Sequence, residues 1–170
     1  MKILGIDPGT AIMGYGLVEE NHKGLTSLTY GCLRTEKGQP AAARLLKLFL
    51  GLEELLGRLK PDGVAVEKLF FASNAKTALS VGEARGAILL CAARAEVKIA
   101  EYTPLEVKQA VTGYGRAEKK QVQQMVMTLL KLKEIPKPDD AADALALAIC
   151  HLHSYKLKEA VPTMGMSGQA

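Results

Sequence analysis

Residues 141–150 read AADALALAIC, and all but Asp143 are apolar. A helix that is hydrophobic nearly all round has to be buried, so this segment demands a fold that encloses a helix and leaves Asp143 facing protein. A chain of 170 residues has the size of one ordinary domain, enough to bury about two-thirds of its unfolded surface in a single core.

The elements available to build that enclosure follow from periodicity. Three β-type runs, KILGID, GYGLVEE and LTSLTYGCLRT, are separated by Gly, Pro and Asn and predict an antiparallel meander. AAARLLKLFLGLEELLGRLK carries Leu45, Leu48, Phe49, Leu52, Leu55, Leu56 and Leu59 at helical spacing and stops at PDG. GVAVEKLFF is a fourth strand, parallel to the first because a helical crossover precedes it. A long Ala- and Gly-rich helix (NAKTALSVGEARGAILLCAARAE) and a fifth strand (VKIAEY) follow. TPLE is a capping box that opens the helix PLEVKQAVT, and EKKQVQQMVMTLLKL is a further amphipathic helix. The last helix is DDAADALALAICHLHSY. The order describes an α/β fold, a mixed five-stranded sheet flanked by helices on both faces. Residues 1–155 form the domain, and 156–170, without periodicity, are expected to be a flexible tail.

Four carboxylates sit where charge is costly. Asp7 ends the apolar strand ILGID, and Asp-Pro-Gly alone is equally good turn chemistry. Glu67 closes VAVE, again at the carboxyl end of a central strand, where an isolated charge costs several kcal/mol unless paired or metal-bound. Asp140 and Asp143, spaced i and i+3, share a helix face and can converge on one ion, whereas Asp139 is accounted for as a helix N-cap. Carboxylates crowded together repel, and Mg²⁺, a hard cation that keeps waters and takes one or two carboxylates plus phosphate, relieves the repulsion. Zinc is not indicated, because no Cys/His ligand spacing occurs and Cys32, Cys91 and Cys150 read as small hydrophobes in a reducing compartment. His151, eleven residues past Asp140 and so about 16 Å along the helix, is read with His153 as a helix C-terminal residue favoured by the dipole.

The net charge of +4 permits a polyanionic partner without proving one, and Arg85, Lys108, Arg116, Lys119 and Lys120 are the cations suited to phosphate. Lys108 and Lys119 stand out because they flank the Gly-rich loop TGYGRAE. No apolar run approaches the roughly 18 residues of a membrane span, so the expected location is the cytoplasm and no membrane partner is expected.

GIDPGT with GYG, Glu67 ending a strand, ARG in the second long helix, AEKKQVQQMV and DDAADALALA together resemble the RuvC family of Holliday junction resolvases, in order and over nearly the whole chain. The resemblance implies an RNase H-like fold and a homodimeric, Mg²⁺-dependent endonuclease, with Mn²⁺ able to substitute. Such an enzyme nicks two opposed strands of a four-way DNA junction in recombination and repair, in partnership with the RuvA–RuvB branch-migration complex. It places the catalytic and metal-binding acids at Asp7, Glu67, Asp140 and Asp143, and DNA contacts at Lys108, Lys119 and Phe70, the last as a base-stacking aromatic. Phosphodiester hydrolysis of that kind needs an activated water on one side of phosphorus and a stabilised leaving oxygen on the other, and two metals about 4 Å apart supply both. For that chemistry Asp7 is expected to bridge the ions, Glu67 and Asp143 to hold one each, and Asp140 to complete the set or position the water. The glycines around Asp7 are expected to keep its neighbouring backbone low enough for DNA to approach. Lys68 departs from the polar uncharged residue usual after the glutamate, which bears on base preference near the crossover. Dimerisation is assigned to the second long helix, through Gly82, Ala84, Gly86 and Ala87.

Three other readings start from the same residues. The first motif also resembles the phosphate loop of actin-like and sugar kinase ATPases, but a second Gly-rich turn of that kind is missing. A junction-binding protein without activity would gain nothing from clustered negative charge. A nuclease acting on RNA:DNA hybrids would use the same acids.

Overall fold

The computed structural model describes residues 1–68 and 75–160. Its strands are β1 (Lys2–Asp7), β2 (Ile12–Asn21), β3 (Gly24–Arg34), β4 (Gly63–Glu67) and β5 (Lys98–Tyr102), and its helices are α1 (Ala41–Leu59), α2 (Ala75–Arg94), α3 (Pro104–Thr112), α4 (Lys119–Leu129) and α5 (Asp139–Ala160). The sheet order is β3-β2-β1-β4-β5, with β1, β2 and β3 antiparallel and β4 and β5 parallel to β1 and to each other. The strand carrying Asp7 is therefore the central one. The expected capping box is present: the Glu106 amide donates to Thr103 Oγ1, and the Thr103 amide donates to Glu106 Oε2 at 2.7 Å.

Alternation along β1 divides the core into two layers. Leu4 and Ile6 face α1 and α2, packing with Leu48, Leu52, Leu56, Val64, Val66, Ile88 and Cys91. Ile3 and, in β4, Ala65 face the other way, onto the all-apolar stretch of α5, which α3 and α4 cover with Val107, Val111, Val122 and Val126. The enclosed helix demanded by residues 141–150 is thus sandwiched between the sheet and two further helices. Every residue from Ala144 to Cys150 is buried.

The approach of α5 to the sheet is set by glycine. A Cβ at Gly5 would collide with the carbonyl oxygen of Ala144, and one at Gly14 with that of Asp140. These glycines keep the backbone low for α5, which corrects the expectation that they do so for DNA. The reason is that residues 5, 7 and 14 face the layer that a helix, not solvent, occupies.

Several boundaries also move. Strand β4 ends at Glu67, with the Lys68 amide making one more bond to the Tyr102 carbonyl, 2.8 Å, and residues 69–71 of the expected strand lie outside the described residues. Helix α5 continues to Ala160, past the tail boundary expected at 155. His151 and His153 are consequently mid-helix and not C-terminal: His151 Nδ1 lies 2.9 Å from the Tyr102 hydroxyl, and His153 Nδ1 lies 2.9 Å from the Ala110 carbonyl. Ala84, expected to face a twin helix, is fully buried within its own chain.

Candidate active site

The parallel pairing of β1 with β4 aligns Ile6 with Val66, so Asp7 and Glu67 stand side by side at the carboxyl ends of two adjacent strands, on the layer facing α5. Helix α5, lowered onto Gly5 and Gly14, brings Asp143 to the same place. Asp7, Glu67 and Asp143 line one cleft of about 280 Å³ together with Lys108 of α3 and Lys119 of α4, against apolar walls that include Val107, Val122 and Leu147. Five residues distant in sequence thereby become neighbours.

The electrostatics follow from that crowding. Burial and then the charges of Asp143, Glu67 and Asp140 push the Asp7 carboxyl from its ordinary 3.8 up to about 8, against a smaller opposite pull from Lys119. Glu67 is raised by burial and by Asp143, while Lys108 pulls it down. Asp143 is raised by burial despite the ammonium of Lys119, whose Nζ donates to Asp143 Oδ2 at 3.0 Å. Cys32 is pushed up to about 11 by burial and by Asp140, so it is a protonated thiol at neutral pH and offers no thiolate to a metal.

The donor set suits a hard divalent cation: carboxylate oxygens only, with more negative charge than the two lysines neutralise. Among the described residues no three acidic, His or Cys side chains already surround one point. A cation that retains waters and takes one or two carboxylates at a time is the kind such an open arrangement fits. Lys119 now occupies part of that role.

The remaining site expectations divide. Asp140 does not line the cleft; its carbonyl rests over Gly14 and its charge reaches Asp7 from the side. Arg85 is not brought to the acids, because it lies on α2 and is ion-paired with Glu101 on the opposite layer of the sheet. Phe70 lies outside the described residues. Asp139, read as an N-cap, is instead the first helical residue of α5 and pairs with Lys119 at 3.4 Å. Nothing in the sequence pointed to that contact, since the two residues are twenty apart and on different helices.

The geometry agrees with what comparison finds. Residues 3–151 match the family model described as crossover junction endodeoxyribonuclease RuvC. Curated proteins of that description from Desulforamulus reducens and Moorella thermoacetica are 62% and 60% identical over 151 residues, covering 89% of this chain and 93% and 90% of theirs. Among solved structures, Thermus thermophilus RuvC superposes with a TM-score of 0.87 at 38% identity, covering 93% of this chain and 97% of that one. The same protein in complex with a Holliday junction substrate gives 0.84 at 35%, covering 92% and 96%. The fold is accordingly RNase H-like. Residues of the right type at the right strand ends, a family model spanning most of the chain and close relatives at about 60% identity lead to one statement: this chain belongs to the RuvC family of crossover junction endodeoxyribonucleases.

Proposed function

We propose that this RuvC-family member, an endodeoxyribonuclease that hydrolyses phosphodiester bonds of DNA, resolves four-way junctions by paired symmetric nicks at the Asp7–Glu67–Asp143 cleft. Family membership carries divalent-metal dependence, and Mg²⁺, two ions per site, is the assignment we make, with Mn²⁺ able to replace it. The observation that carries this reading is the adjacency of Asp7 and Glu67 across a parallel strand pair, with Asp143 lowered onto them and lysines at the rim.

The residues act as follows. Asp7, most deeply placed, and Glu67 and Asp143 beside it are the residues that would hold the ions, and Asp140 would contribute charge from the helix N-terminus. The chemistry such ions would supply when bound is activation of a water at phosphorus and stabilisation of the leaving 3′ oxygen. Lys108, whose charge already reaches Glu67, and Lys119 hold the phosphates flanking the scissile bond. Phe70, two residues beyond Lys68, is proposed to stack on a base at the junction centre. Arg85, ion-paired with Glu101, is left out of the phosphate contacts in this reading.

A junction has two-fold symmetry, and paired nicks need two symmetry-related sites. The homodimer is assigned to α2, where Leu79 (69% exposed), Gly86 and Leu90 (64% exposed) form one outward stripe and Gly86 has open space above it. The support for junction DNA as substrate is the similarity to the T. thermophilus protein complexed with it. Work alongside RuvA–RuvB in the cytoplasm completes the assignment; among the described residues no helix is long and apolar enough to cross a membrane.

The test is incubation of labelled four-way junction, linear duplex and RNA:DNA hybrid with and without Mg²⁺. Paired nicks confined to the junction and dependent on the metal are expected, and Asp7→Asn should bind junction as well as wild type while nicking nothing. Cleavage of the hybrid in preference to the junction would overturn the substrate assignment, and nicking by Asp7→Asn would overturn the metal centre.

A further inference from the structure

Lys119 is the first residue of α4, and Asp139 the first of α5. The two helix starts meet at one ammonium: Lys119 Nζ lies 3.0 Å from Asp143 Oδ2 and 3.4 Å from Asp139 Oδ2. A cation at a helix N-terminus faces the positive end of the dipole, and burial also works against it. The bonds to Asp143 and Asp139 nevertheless outweigh both and favour the charged amine. The two carboxylates are not equivalent. Asp143 lines the cleft and is 35% exposed, whereas Asp139 is 65% exposed and does not line it.

Asp143 has a second claim on it, because the metal-centre reading above requires its oxygens for a divalent cation. An ammonium bonded to Asp143 Oδ2 competes with a cation at the same carboxylate, by like-charge repulsion and for space. We propose that Asp139 is a positioning residue that keeps Lys119 at the cleft rim when Asp143 turns to the metal, so that the ammonium is handed from one carboxylate to the other. Lys119 then remains beside the phosphate position without competing for the cation. This inference rests on the metal-centre reading. It assigns a role to the first aspartate of PDDAAD, which the helix N-terminus alone had seemed to explain.

Without Asp139, the carboxylate paired with Lys119 among the described residues is Asp143 alone, and a metal ion has to draw the ammonium away with no second carboxylate to receive it. The experiment is a Mn²⁺ titration of the metal-free protein without DNA, with free Mn²⁺ read by electron paramagnetic resonance. It compares wild type, Asp139→Asn, Lys119→Gln, the double variant, Asp139→Glu and Asp7→Asn. Exchange of a partly exposed ion pair is worth about a two- to fivefold change in affinity. Asp139→Asn is therefore expected to weaken Mn²⁺ binding by that factor, Lys119→Gln to tighten it, and Asp139→Glu to restore the wild-type value. In the Lys119→Gln background the effect of Asp139→Asn should fall to less than half, since the partner it acts through is gone. An equal factor in both backgrounds would show that Asp139 acts only by its field on the ion and would overturn the inference. No effect of Asp139→Asn in either background would do the same. If wild type and Asp7→Asn titrate identically, the metal centre itself fails, an outcome distinct from failure of the Asp139 role alone.

Discussion

Replacing Asp7 by Asn probes the centre through stability as well as activity. In the metal-free protein the Asp7 carboxyl ionises at about 8, against 3.8 in an unperturbed carboxylate. Between those values the folded chain holds a proton that the unfolded chain has released. Stability therefore falls as pH rises through that window and levels off above it. At about 1.4 kcal/mol per tenfold, the whole interval corresponds to about 6 kcal/mol. Glu67 and Asp143 are raised by the same crowding and share the proton, so about 2–5 kcal/mol is expected to be recoverable at Asp7 alone. Asn keeps the shape and cannot ionise. In thermal unfolding with chelator present, Asp7→Asn should melt about 5–15 °C above wild type at pH 8.5, with the gap shrinking toward pH 5. Added Mg²⁺ should raise the wild-type melting temperature at pH 8.5 and leave the variant unmoved. A variant less stable than wild type at pH 8.5, or one with an unchanged pH slope, would refute the picture of an uncompensated carboxylate cluster.

Two other perturbations separate placement from chemistry. Gly5→Ala puts a methyl into the Ala144 carbonyl and should cost about 2–4 kcal/mol and lower metal-dependent cleavage at least tenfold by lifting α5; Gly57→Ala, a helical site with open space, should leave cleavage unchanged and melt at or slightly above wild type. Lys108→Ala should weaken junction binding across all sequences and reduce the slope of log affinity against log salt by about 1; an unaltered slope would remove Lys108 from the phosphate contacts.

Much of this architecture is legible in the residues. The five strands, the antiparallel meander of β1–β3, the parallel pairing of β4 with β1 and the Thr103 capping box follow from period, connection and turn chemistry, and residues 141–150 read as an enclosed helix. The convergence of Asp7, Glu67 and Asp143 was legible for the same reason: each interrupts an apolar run at an element's end. What the pattern hides is whatever depends on a contact between elements. Gly5 and Gly14 look like ordinary strand glycines, and only the helix above them shows what they admit. Arg85 has the composition of a phosphate ligand, yet Glu101 on β5 claims it. His151 lies near the last predicted turn, and only the continuation of α5 and the Tyr102 hydroxyl make it a mid-helix partner.

The seating of α5 on β1 also has a meaning in time. Asp7 leaves the ribosome well before Asp143, and the seating of α5 on Gly5 and Gly14 joins them. A nascent or truncated chain that has not yet laid down its final helix holds Asp7 and Glu67 without the third acid. On the metal-centre reading proposed above, such a chain would carry an incomplete site until α5 closes the core.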